Sequence, residues 1–480
     1  MLTPEYLKHV PDRMVALYEA LEMDILTDMA RKIAKADYWM PATEWQHYIL
    51  RQMGTTEREI LTQLSSLTGK SQKELKQLMR EAGVMTAESE VRRARAAVEI
   101  ASEGLKQILN DGYRATNKAF ANLTKTTARG GAQQLIYELD KAYLKIRSGA
   151  FSYDTAVTQA IKTLADAGVK VSYGRGRTES LEVAVRRAVM TGTNQTGIRL
   201  NTDIAEQLDA PLMETTAHSG ARPSHEVWQG KRFGRNGAVR IDGVLYEDFV
   251  TATGYGTGAG LGGWNCRHSA HAAWPWESPT YSKELLQSYQ DKSIEYNGKH
   301  YTEYEASQIQ RYQERRIRKW KREFAMLDAA GQDTMTAAVK IKHWQASRSD
   351  FLRQTGLKVQ GTRERVAEYG AAQARKAIAI NKRNGIIKLQ SQLSYVNNGE
   401  RLFIPTNTDI SKRKVIAGKG STTPIRVESR LIDEYGGNVG DWRKCVGKVE
   451  SAKYVFDVHW YELYGKQYGV KIKFRKERKP

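Results

Sequence analysis

Apolar residues recur at three- and four-residue spacing from Val15 to Ala34. That is the period of an amphipathic helix with one face turned to a core. Thr55-Thr-Glu-Arg-Glu-Ile-Leu is written like a capping box and predicts a helix start there. A long polar helical pattern follows over 88–123, with Val91, Ala94, Ala97, Ile100 and Ile108 on its inner stripe. A further helical stretch, 132–168, is expected to end at Gly168, and another covers 181–209. The latter contains Thr191-Gly-Thr-Asn-Gln-Thr-Gly197, whose glycines and threonines are poor helix formers. A close backbone contact or a kink is expected at that point.

The period then changes. Leu212-Met-Glu-Thr-Thr-Ala, Val239-Arg-Ile and Val244-Leu-Tyr predict short strands, and residues 282–370 return to helix. Tyr395-Val-Asn-Asn-Gly399 has turn chemistry. Beyond it the order is a strand at 414–417, a helix at 425–435, then strands near 445–449, 454–460 and 468–474. Alternation puts Tyr454, Phe456, Val458 and Trp460 on one strand face, and Val455, Asp457, His459 and Tyr461 on the other. The predicted class is α+β and multidomain. It comprises a helical region (1–180), a central mixed domain (181–280), a basic helical segment (281–398) and a small domain of one helix on an antiparallel sheet (399–480).

The charge sharpens this picture. Over 480 residues the net charge is +21, which favours a polyanionic partner such as DNA or RNA. The densest run is 311–323, with Arg311, Arg315, Arg316, Arg318, Lys319, Lys321 and Arg322 interleaved by Tyr312 and Trp320. As a phosphate-tracking helix it would bind without regard to sequence, since no base-reading motif accompanies it. The alternative is a solvated face with internal ion pairs. No apolar run is long enough for a membrane span, and the first residues lack the apolar stretch of a signal peptide. The only two cysteines, Cys266 and Cys445, lie in different predicted domains, which excludes a disulfide framework and fits a reducing cytoplasm.

The most unusual stretch is 214–268. Six of the ten residues 254–263 are glycine, a density that no core element tolerates, so a shaped loop is expected. His218, His225, Cys266 and His268 bracket it. The favoured expectation is a hydrogen-bonded loop core without cofactor. The alternative is a zinc site using these four residues. A catalytic Cys266 is disfavoured for lack of a group to orient its histidine. Walker, nucleophile-elbow and His-Glu-x-x-His motifs are missing, and Gly256-Thr-Gly-Ala-Gly-Leu-Gly-Gly is not followed by the helix that a dinucleotide loop requires. In the last domain, His459 is the only histidine. It is a candidate acid or base, with Tyr461 two residues on along the same strand face. Arg426 and Arg430, read as one helical turn apart, and Lys419 in the preceding loop are candidates to hold a phosphate.

Four words carry a family resemblance: Met-Thr-Gly-Thr-Asn-Gln-Thr-Gly (190–197), Thr-Ala-His-Ser-Gly-Ala-Arg-Pro-Ser-His (216–225), Trp-Gln-Gly-Lys (228–231) and Gly-Trp-Asn-Cys-Arg-His (263–268). They resemble the tailed-phage "phage minor capsid protein 2" family, related to Mu-type head morphogenesis proteins. The resemblance covers roughly residues 1–370. It implies a virion structural protein of the phage head, present in few copies near the portal and made in the bacterial cytoplasm. Its implied partners are portal and capsid proteins and DNA. Residues 400–480 resemble, in order of elements and residue types, the small barnase, EndoU, colicin and RelE-like nuclease domains found fused to phage head proteins and toxins. That resemblance implies metal-independent RNase chemistry and an RNA partner for this domain.

Overall fold

A computed structural model describes residues 1–94, 102–384, 387–388, 390, 392–397, 400–404, 406, 408–450 and 454–477. The chain separates into two compact units, Met1–Gln373 and Ala374–Pro480. The first unit takes in the first two expected segments and the third as far as Gln373, and the remainder of the third segment belongs to the second unit.

The first unit begins with α1 (Pro4–His9), α2 (Asp12–Lys35), α3 (Ala42–Ala94), α4 (Ser102–Arg147) and α5 (Tyr153–Ala167). The stripe read from the sequence of α2 is its buried face, with Tyr18, Ile25, Leu26, Met29 and Ile33 in the main core. The capping box expected at Thr55 is not a helix start. Helix α3 begins at Ala42 and runs straight through, and the Thr56 hydroxyl instead accepts from Lys32 Nζ at 3.2 Å. The pattern read over 88–123 belongs partly to α3 and partly to α4. Ala97 and Ile100 lie outside the described residues. The stretch expected over 132–168 is split between the end of α4 and α5, and α5 ends as expected at Gly168, whose φ of 62° is open to glycine.

A small hairpin, β1 (Lys170–Ser172) and β2 (Thr178–Ser180), leads into α6 (Leu181–Gln207). Helix α6 does not break at its glycines, because they are the contact with α4. A Cβ on Gly192 would sit 2.0 Å from Thr116 Oγ1, and one on Gly112 would sit 2.1 Å from Thr196 Oγ1. Each threonine hydroxyl donates to the carbonyl one turn back, Thr116 to Gly112 O and Thr196 to Gly192 O. The crossing is thus a reciprocal glycine–threonine lock.

The mixed region follows with β3 (Leu212–Thr215), α7 (Pro223–Glu226), β4 (Arg232–Gly234), β5 (Val239–Ile241), β6 (Val244–Tyr246), α8 (Phe249–Thr253) and β7 (Ala270–Ala273). Strand β3 is central between β4 and β7, both antiparallel, and every residue of β3 is buried. After α9 (Lys283–Ser288) and the hairpin β8 (Ile294–Tyr296)–β9 (Lys299–Tyr301), α10 (Glu303–Ala329) packs against α11 (Met335–Thr355), α2 and α5. The capping box that does form in this unit is at the start of α10, between Thr302 and Glu305.

Helix α12 (Ala371–Asn384) spans the division between the units. The second unit holds β10 (Ile387–Lys388), β11 (Leu393–Asn397), β12 (Glu400–Ile404), β13 (Asp409–Gly418), α13 (Glu428–Tyr435), β14 (Arg443–Glu450), β15 (Tyr454–Leu463) and β16 (Lys466–Glu477). Five strands form one antiparallel sheet in the order β10-β13-β14-β15-β16, and β11 pairs with β12. The face carrying Phe456, Val458 and Trp460 is buried against Leu393 and Ile404 of that hairpin. Helix α13 packs Leu431 against Trp442, Leu463 and Tyr461. One helix on an antiparallel sheet is the arrangement that the order of elements predicts, and β10 and the β11–β12 hairpin are additions to it.

Candidate functional site

The glycine-rich loop is built by close backbone approach. Asp248 caps α8, accepting from Thr251 N at 2.7 Å, and Gly254 ends that helix at φ 63°. The chain then folds on itself: Leu261 N donates to Thr253 O and Trp264 N to Gly258 O. A Cβ on Gly260 would lie 2.1 Å from Gly254 O, and one on Gly263 2.4 Å from Gly258 O. The demand for glycine at 260 is therefore steric crowding by backbone, since its φ is not positive. Asn194 of α6 clamps the loop's far end, its Nδ2 donating to Cys266 O at 3.0 Å and His268 O at 2.8 Å. Sequence reasoning missed this role, although Asn194 stands inside one of the four family words.

The clamp brings His225, from α7, against Cys266 and His268. His225 Nδ1 lies 3.4 Å from His268 Nδ1, and Cys266 Sγ lies 3.7 and 3.6 Å from the two nitrogens. All three residues are buried. His225 donates from Nε2 to Ala259 O at 2.9 Å, and His268 donates from Nε2 to Gln229 Oε1 at 3.0 Å. Trp228 packs its ring against both imidazoles. His218 does not join the set. It stacks on His268 with ring centroids 4.4 Å apart, and its Nδ1 is held by Ser219 O at 2.8 Å. Burial, with Arg267 close by, pulls His218 down to about 4. Burial pulls His225 and His268 down and pushes the Cys266 thiol up, the reverse of an activated nucleophile.

The cluster lines a cavity of about 790 Å³ that also takes in Arg222, Arg267, Arg311 and Arg315. Most of the basic run on α10 is engaged inside this unit. Arg318 is held by Glu19 at 2.7 Å and Glu182 at 2.6 Å, and Arg322 by Glu22 at 3.1 Å. Lys319 meets Asp166, Lys321 donates to Glu364 O, and Arg316 lies over the Trp344 ring. Arg311 faces the cavity, where burial, with Arg363 and Arg267 nearby, lowers it to about 10. Arg315 is exposed. The partners that neutralise α10 come from α2, α5 and α6, far away in the sequence.

In the second unit, His459 stands opposite Val446 and Lys471, on the face turned away from Phe456. Tyr461 shares that face, with Lys444 Nζ 5.8 Å from its ring centre. Partial burial, with Lys444 and Lys473 close by, pulls His459 below its ordinary value. The other expected residues have local partners and positions of their own. Lys419 is paired with Asp441 at 3.2 Å, and the Tyr464 hydroxyl and Lys419 hold Asp441 down to about 2. Arg430 is exposed on α13, but Arg426 precedes the helix, since Val427 is its N-cap. The one-turn spacing expected of Arg426 and Arg430 is therefore not formed. The lysines nearest His459, namely Lys444, Lys471 and Lys473, come from neighbouring strands.

Long helices joined by small-residue contacts, a loop clamped by Asn194 and buried ion clusters define a multidomain protein of the α+β class. The chain matches the family model of phage minor capsid protein 2 over residues 2–353 and belongs to that family, which makes it a phage head protein. No curated protein and no solved structure matches it.

Proposed function

We propose that this head protein is a minor virion component beside the portal. It takes part in head assembly, contacts packaged DNA without reading its sequence, and accompanies the DNA at ejection. The observation that carries the reading is the family match over residues 2–353, which spans nearly all of the first unit. Tyr137 and Leu144, two turns apart on α4, stay 64% and 66% exposed and support a face that meets a neighbouring virion protein. Mass spectrometry of purified particles, combined with cross-linking, is expected to find peptides of this chain joined to the portal. Particles that contain none of its peptides would remove the reading, and cross-links confined to the major shell would move it away from the portal.

A second reading concerns residues 400–480 as a virion-carried RNase-like effector. One observation favours it: His459 and Tyr461, both half-buried, share a sheet face with Lys444, Lys471 and Lys473 close to His459. A histidine to move protons beside cations that steady a phosphate is the minimum such chemistry needs. Full-length protein that binds RNA and leaves it intact reduces this unit to a binding surface.

A further inference from the structure

The geometry points to a zinc ion held by His225 Nδ1, Cys266 Sγ and His268 Nδ1, with its fourth position supplied from the arginine-lined cavity. The spacing carries the assignment. A tetrahedral zinc with bonds of about 2.05 Å to nitrogen and about 2.3 Å to sulfur sets N···N near ~3.35 Å and N···S near ~3.6 Å. The three separations here are 3.4, 3.7 and 3.6 Å.

A count of hydrogens leads to the same place. Ala259 O is a carbonyl, so His225 must donate to it from Nε2. Gln229 Oε1 also receives the backbone N–H of His218 at 3.2 Å, which fixes it as the oxygen and makes His268 Nε2 a donor too. Both neutral imidazoles thus aim bare Nδ1 lone pairs at one point. The single thiol hydrogen can serve only one of them. Two lone pairs and a sulfur converging in a buried site are satisfied together by a cation. Histidines that donate their outer nitrogen to a fixed acceptor are what a metal centre requires to hold ring orientation.

The donor set selects the metal. Two imidazoles and a thiolate suit zinc and exclude the oxygen-seeking magnesium and calcium. Cys266 as thiolate cancels one of the two positive charges. An anion drawn from the cavity, where Arg222 and Arg267 stand, would cancel the other. The ligands reach the ion from α7 and from the segment leading into β7, so the ion would staple the ends of the glycine-rich loop. His218, the fourth residue of the sequence-level set, stays outside the coordination sphere because its ring lies parallel to His268.

The test uses the full-length chain from zinc-supplemented growth. Elemental analysis after desalting should give about one zinc per chain, a Cys266→Ser exchange should lose it, and His218→Ala should keep it. Because Cys266→Ser can fail to fold, the wild type is also stripped by chelator and refilled. Zinc should raise the melting temperature and magnesium should not. Cobalt(II) in the same protein should give the charge-transfer band of a thiolate ligand. A wild type that takes up no zinc and melts at the same temperature with and without it overturns the proposal. So does stoichiometric zinc retained by a folded Cys266→Ser protein, or cobalt without a thiolate band.

Discussion

Asn194 shows how much can rest on one side chain. It is buried in α6 and donates to two carbonyls of the Cys266–His268 segment. Replacing it by Ala strands those acceptors, and an unsatisfied buried polar group costs about 1–3 kcal/mol. Asn194→Ala is therefore expected to lower the unfolding midpoint in denaturant, and Asn194→Asp to lower it at least as much, because a carboxylate cannot donate. An unchanged midpoint in both would show that the loop holds its shape without α6. His459 makes a second test at this scale. Its imidazole is depressed from 6.5 by partial burial beside Lys444 and Lys473. The native chain thus takes up that proton later than the unfolded chain as pH falls. The stability this residue contributes is present above pH 6.5 and lost as pH falls through its folded pKa. An NMR titration should find the midpoint below 6.5, and Lys444→Glu should raise it. A midpoint at or above 6.5 in the unmodified chain contradicts the described face.

Helix α10 is the element whose reading changed most. From its sequence it is a run of cations; in the fold, Arg318 is the centre of a buried carboxylate cluster of Glu19, Glu22 and Glu182. Truncating one partner of a buried ion network leaves uncompensated charge and costs about 3–5 kcal/mol. Arg318→Ala should therefore destabilise the first unit strongly. Arg315→Ala, at an exposed position, should stay within about 0.5 kcal/mol. Chemical denaturation of the two variants separates a packed helix from a free basic face. Equal and small effects would restore the free face. Arg311 and Arg315, which line the cavity, are the members of the run left to meet an anion.

For the whole molecule the net charge of +21 must be divided between ion pairs inside the protein and cations that face outward. Strands β14 and β16 of the second unit place Lys444, Lys471 and Lys473 around His459. Binding of the full chain to RNA or duplex DNA should weaken as salt rises, with a log–log slope of about −0.9 for each duplex phosphate neutralised. Lys444→Glu with Lys471→Glu should flatten that slope. His459→Ala should leave binding nearly intact, since neutral imidazole adds no charge, and should abolish any cleavage. Binding unaffected by the double lysine exchange would place the contact on another surface.

Periodicity alone made the helical character of the first unit, the last four strands of the second and the two faces of β15 legible, because burial along one regular element repeats at a local period; β10 and the β11–β12 hairpin went unread. Residue chemistry marked 214–268 as the special stretch for the same reason: a glycine density that high has no place in a regular element. What the chain could not announce was which distant groups meet. Thr55 looked like a helix start because the packing that carries α3 past it comes from other helices. Arg426 and Arg430 looked paired because the true N-cap depends on how Ile425 and Leu431 enter the core. The histidines and the cysteine fitted either a hydrogen-bonded loop core or a four-residue zinc site. Only the approach of α7 to the segment before β7, held by Asn194, brought three donor atoms to coordination distance. Local order follows from residues a few positions apart, whereas charge pairing and ligand geometry depend on contacts far apart in sequence, and those exist only once the chain has packed.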